Sequence, residues 1–144
     1  MLECQTLFIH SKDATALQRI VDPDTGVTLG HARWLMSNLE VRELDDEPLL
    51  FTVRRRWLFF RRRVLRDADG NVIGFVGGGV IQDRWGRCLA TREGGNATSV
   101  FQGRMGQEIA ILRSGQEGCR LTFGAELEGE PFVKMLLLAA ALVG

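Results

Sequence analysis

Residues 64–74 read VLRDADGNVIG: an apolar run, an Asp, two further residues, a Gly, and a return to apolar residues. An Asp at the first position of a turn can accept bonds from nearby backbone N–H groups. A Gly at the last can take the left-handed conformation that closes a type I turn with a bulge. Turns of this kind join adjacent antiparallel strands. The same form recurs in VIQDRWGRCLA (80–90), and in VFQGRMGQEIA (100–110) with Gly103 in place of the Asp. IVDPDTGVTLG (20–30) is an earlier relative with one more residue in the turn. The turns at Asp67, Asp83 and Gly103 are 16 and 20 residues apart, room each time for two short strands and their connections.

Further turns are expected at Asp45-Asp46-Glu47-Pro48, Glu93-Gly94-Gly95-Asn96 and Ser114-Gly115-Gln116-Glu117-Gly118. Between the turns lie β-branched and aromatic runs: LFIH, LQRIV, VTLGHARW, LEVREL, LLFTVRRRW, VIGFV, TSVFQ, EIAIL and CRLTF. With the arms of the Asp turns they amount to about a dozen strands. In Leu49, Phe51, Val53, Arg55, Trp57 and Phe59 alternate positions are mostly apolar, whereas Leu50, Thr52, Arg54 and Arg56 between them are more polar. That period of two describes a strand with one buried face.

The end of the chain differs. PFVKMLLLAAALVG (131–144) is almost wholly apolar and rich in the helix formers Met, Leu and Ala. Pro131 suits the first turn of a helix, and Glu128 and Glu130 lie where the positive end of its dipole favours them. A helix apolar on every side must be enclosed by protein or by lipid. Fourteen residues would span roughly 20 Å, short of the roughly 30 Å of bilayer hydrocarbon. Lys134 near its start also opposes deep insertion. A helix buried inside the β structure is thus favoured over a membrane anchor. A closed barrel of about a dozen strands has a lumen too wide for strand side chains alone, and a central helix would fill it.

Together these features resemble the phospholipid scramblase and LURP-one-related proteins. The carriers are DADGNVIG (67–74), IVDPDTGVTLG (20–30) and the C-terminal FVKMLLLAA. The resemblance implies a tubby-like fold, a closed antiparallel β-barrel of about twelve strands around the helix, with residues 1–144 as a single domain and 131–144 as the central helix. It also implies contact with membrane phospholipids. The cysteine-rich palmitoylation segment and the calcium segment of eukaryotic scramblases have no recognisable counterpart here. Asp67, Asp69 and Asn71 have the first three spacings of a calcium loop, but Val72 stands where Gly is required and Gly78 where Glu is required. Lipid binding or a scaffold role is therefore expected rather than lipid scrambling.

Composition narrows the function further. The 144-residue chain has 45% apolar and 25% charged residues and zero formal net charge. No global field draws it to a polyanion, so any electrostatic partner must be held by a local patch. Sixteen Arg stand against two Lys, and seven of those Arg fall in RRRWLFFRRRVLR (54–66). Arg54, Arg56, Arg61, Arg62, Arg63 and Arg66 could meet anionic headgroups through their forked donors, while Trp57 and Phe59 or Phe60 enter the interface. The alternative is a structural or protein-interaction module. In that reading the Arg stems cover the barrel wall, and acids such as Glu40, Glu43, Asp45 and Asp46 balance them across the sheet. Nucleic acid is disfavoured, because the charge is confined to one segment and the pI is about 6.7.

Catalytic material is scarce, and no enzyme or cofactor is expected. His10 and His31 are the only histidines, and no serine sits in a nucleophile elbow. Cys4, Cys88 and Cys119 are widely spaced without C-x-x-C, which fits a reduced, intracellular setting. A cytoplasmic location is expected, and the resemblance adds a membrane-associated one as an option. Cys88 and Cys119 read as buried hydrophobes, and a zinc set of Cys4, His10, His31 and Cys88 lacks metal spacing. GFVGGG (74–79) lacks the G-K-[ST] of a phosphate loop and reads as close packing or a bulge.

Overall fold

The computed structural model describes residues 1–44, 49–55 and 62–144. Twelve strands follow one another: β1 (Thr6–His10), β2 (Leu17–Val21), β3 (Thr28–Leu35), β4 (Asn38–Arg42), β5 (Leu49–Arg55), β6 (Arg63–Asp67), β7 (Val72–Gly77), β8 (Val80–Asp83), β9 (Cys88–Gly94), β10 (Thr98–Gly103), β11 (Glu108–Ser114) and β12 (Gly118–Phe123). Each pairs antiparallel with its neighbours in sequence, and β1 closes the ring against β12 through Thr6–Thr122 and Leu7–Leu121. A short 3-10 turn (Ala125–Leu127) leads into the helix α1 (Pro131–Val143). This is the expected closed antiparallel barrel with a C-terminal helix.

The Asp turns behave as their chemistry requires. Gly26, Gly70, Gly86 and Gly106 have φ of 73°, 83°, 83° and 76°. The strand register shifts by one residue beside each, at Ile20/Val21, Leu65/Arg66, Ile81/Gln82 and Phe101/Gln102. These are bulged hairpins. Asp67 Oδ1 accepts from the Asp69 and Asn71 amides at 3.0 and 2.9 Å, and Asp83 Oδ1 from the Trp85 and Arg87 amides at 3.0 and 2.9 Å. Asp67 Oδ2 also accepts from Asn71 Nδ2 at 3.3 Å, so both carboxylate oxygens serve the turn. All four turns lie at the end of the barrel where the chain enters α1. The β3–β4, β7–β8, β9–β10 and β11–β12 connections lie at the other end, with the helix C-terminus.

Alternate residues of each strand point inward and meet the helix. Leu7, Phe51, Val53, Leu65, Phe101 and Leu121 are fully buried, as are Leu137, Leu138 and Ala139 of α1. Pro131 occupies the first helical turn and Glu130 the N-cap position. Lys134 is buried too: its Nζ donates to the Leu2 carbonyl at 2.8 Å and lies 5.2 Å from the centre of the Phe123 ring. The enclosure is incomplete at the first turn, where Phe132 is 57% exposed.

The glycine run divides into two roles. A Cβ on Gly74 would strike the Gln82 carbonyl oxygen and approach Leu136 Cδ2 to 2.9 Å, so close packing holds there. Gly78 and Gly79, with φ of 60° and 75°, form instead the two-residue turn between the paired residues Gly77 and Val80. Both central residues at positive φ suit the twist of the flanking strands. Cys88 departs from expectation: it is exposed, whereas Cys4 and Cys119 are half-buried.

Candidate functional site

The Arg-rich segment divides between the two faces of the barrel. On β5, Phe51 and Val53 point into the core and Arg54 points out. On β6, Leu65 points in and Arg66 points out. Arg54 and Val64 are direct cross-strand partners, and Phe75 of β7 continues that outer row. Arg62, just before β6, is also exposed. Arg54, Arg62 and Arg66 thus stand exposed on one outer face.

Arg63 does not. It pairs across strands with Arg55 on one side and the buried Val76 on the other, so the inner-face alternation continues through it to the barrel rim. Its guanidinium carbon lies 5.6 Å from the centre of the Trp34 ring. Burial, and secondarily the positive charge of Arg55, lowers its pKa. Arg56, Trp57 and Arg61 lie outside the described residues, as do Phe59, Phe60, Asp45 and Asp46.

The charge balance expected across the sheet is not made by the described acids. Glu40 lies 3.7 Å from Arg42 on its own strand, and Glu43 lies 3.3 Å from the Met1 amino group. Among the described residues no carboxylate forms an ion pair with Arg54, Arg62 or Arg66. Arg66 Nη1 donates instead to the Gly70 carbonyl at 2.8 Å, which steadies the side chain without neutralising it.

A second basic and aromatic element adjoins this face. The β8–β9 turn projects Trp85, 65% exposed, with Arg84 and Arg87 guanidinium carbons 4.1 and 4.9 Å from its ring centre. Arg62, Phe75, Gln82, Arg84 and Trp85 line a surface groove of about 220 Å³. Arg87 is largely committed to Asp83, its Nε lying 2.9 Å from Oδ2. Burial opposes ionisation of Asp83, but hydrogen bonds from the Arg87 amide and side chain and the Trp85 amide outweigh it and lower the pKa. The signal was present in DRWGR (83–87), yet a turn residue's facing cannot be counted from strand alternation.

No metal-binding group of three or more His, Cys, Asp or Glu occurs among the described residues. No helix among them is long and apolar enough to cross a membrane. No family model matches the chain, and no curated protein matches it. A protein of Arabidopsis thaliana with a known X-ray structure superposes with a TM-score of 0.70 at 12% identity, over 96% of this chain and 91% of that one. That likeness shows the fold: the chain is similar to this neighbour as a twelve-stranded barrel closed around a helix.

Proposed function

We propose that this protein is a non-catalytic, peripheral binder of anionic phospholipid headgroups, of the scramblase and LURP-one-related kind, working at the cytoplasmic face of a membrane where such lipids concentrate. One observation carries the reading. Arg54, Arg62 and Arg66 project from one outer face without a carboxylate partner among the described residues, while Glu40 and Glu43 are engaged elsewhere. An internally balanced stripe would have little charge left to offer.

The neighbouring groove supplies the apolar part of such a contact. Phe75 and Trp85 line it together with Arg62 and Arg84. An indole beside guanidinium groups suits the boundary between headgroups and acyl chains. Each basic residue close to an anionic surface contributes about 1 kcal/mol, weakened as salt shortens the screening length.

Sedimentation with vesicles of increasing phosphatidylserine content tests the proposal. Binding should rise with anionic lipid and fall as salt is raised. An absence of pelleting at every composition, at low salt, would overturn it in favour of the interaction module.

A further inference from the structure

The mouth of the barrel at the helix's C-terminal end contains a cavity of about 470 Å³. That volume is in the range of about 300–1,000 Å³ usual for small-molecule sites. Its walls come from the β7–β8 turn, from β9 and β10, and from Ala140 and Val143 of α1 with Gly144 just after it. Two guanidinium groups, Arg63 and Arg92, line it, with Asn96 and Ser99 nearby.

We propose that this mouth binds a phosphate-class anion between Arg63 and Arg92. Arg63 Nη1 is buried and has no hydrogen-bond partner among the described residues. A buried charged donor without an acceptor is costly, and an oxyanion is the acceptor that a forked guanidinium fits best. No described carboxylate forms an ion pair with Arg63 or Arg92. Arg55, the cross-strand partner of Arg63, adds a third positive charge at the rim. The other neighbours do not compete for these donors. Trp34 and Phe101 offer ring faces, at 5.6 Å from Arg63 and 6.0 Å from Arg92, and the Ser99 hydroxyl already donates to the Gly95 carbonyl at 3.0 Å.

The helix C-terminus opposes an anion here. Its dipole amounts to about half a negative charge. Gly144, the last residue, also lines the mouth, and its carboxylate adds one negative charge. The three guanidinium charges of Arg55, Arg63 and Arg92 exceed the two together, so the mouth stays net positive. An anion held inside the barrel is a different site from the outer face of Arg54, Arg62 and Arg66, and does not rest on membrane docking.

The anion could be free phosphate, a soluble phosphomonoester or a lipid headgroup. Calorimetric titration of the full chain with inorganic phosphate, with glycerol 3-phosphate and with short-chain phosphatidic acid, each at matched ionic strength in chloride buffer, separates these sources. Saturable binding of at least one probe is expected, weakened about tenfold or more in Arg63→Gln and in Arg92→Gln, since each removes a charge-assisted bond. Circular dichroism checks that both variants fold. If either does not, Arg63→Lys and Arg92→Lys keep the charge but lose the fork, and the same weakening is expected. Arg54→Ser with Arg66→Ser should leave phosphate binding unchanged, so failure of membrane docking and failure of this site are read separately. No saturable binding of any probe, or equal binding by wild type and both mouth variants, would overturn the site.

Discussion

Gln107 Oε1 lies 2.9 Å from the Met105 amide, taking the part that the Asp67 and Asp83 carboxylates take for the amides two residues after them. The third copy of the turn lacks its Asp because Gly103 stands there, and a Cβ on Gly103 would fall against the Gln107 side chain. The acceptor has moved from the first residue of the turn to the residue just after it. Gln107→Ala should destabilise the protein by about 0.5–1.5 kcal/mol, the usual net value of one such bond. Adding Gly103→Asp to that variant should recover most of the loss in urea unfolding. Further destabilisation by the second substitution would show that the two turns are not equivalent.

Asp83 gives the fold a pH dependence of defined sign. Its folded-state pKa is lowered from 3.8, chiefly by the Arg87 amide and side chain and the Trp85 amide acting against burial. A depressed carboxylate stabilises the fold fully above its unfolded pKa and loses that contribution as pH falls through the folded value. Asp83→Asn can keep the amide bonds but not the charge. Wild type should therefore melt higher than Asp83→Asn at pH 7, with the gap closing below about pH 4. A gap that is constant down to pH 2 would exclude this origin.

The position of α1 sets two contrasting outcomes. Leu137 is fully buried in the lumen and Phe132 is 57% exposed. Leu137→Ala should cost about 2–5 kcal/mol, whereas Phe132→Ser should stay within about 0.5 kcal/mol. Equal costs would place the helix differently from the lumen. Gly74→Ala should also destabilise, by about 1–3 kcal/mol, because the added methyl meets the Gln82 carbonyl and Leu136.

Much of the architecture was legible because two signals agreed. The Asp-x-x-Gly phrase sets a bulged hairpin by backbone chemistry alone, and the apolar tail demanded an enclosure that a dozen-stranded barrel provides. What the sequence hid was facing at chain reversals. Alternation identifies Arg54 as outward on β5, but Arg63 is reached only across a connection, and its inward facing follows from the pairing with Arg55 and Val76. GFVGGG as a whole reads as close packing or a bulge, which holds for Gly74, whereas Gly78-Gly79 makes a two-residue turn. Trp85 joins the Arg62 side only through the lateral order of β6, β7 and β8, which no local pattern contains.

Among the described residues, Trp85 is the aromatic placed to enter the headgroup region. In a Trp57→Phe background its emission should shift to the blue on vesicles rich in phosphatidylserine, and Trp85→Ala should weaken binding several-fold by removing buried apolar area. Trp34, hydrogen-bonded to Gln18 Oε1 at 3.1 Å, should report little change. Unaltered vesicle binding by Trp85→Ala would remove the groove from the interface.

The most direct test of the membrane account compares two sets of outward arginines on opposite sides of the barrel. Arg54, Arg62 and Arg66 lie on or beside β5 and β6, whereas the exposed pair Arg113 and Arg120 lies on β11 and β12, half the ring away. Vesicle partitioning should fall about 100-fold in the triple Arg54→Ser, Arg62→Ser, Arg66→Ser variant, at about 1 kcal/mol per residue, and by less than about threefold in Arg113→Ser, Arg120→Ser. Equal losses per charge removed on the two sides, or no loss in the triple variant, would contradict a dedicated lipid-facing surface.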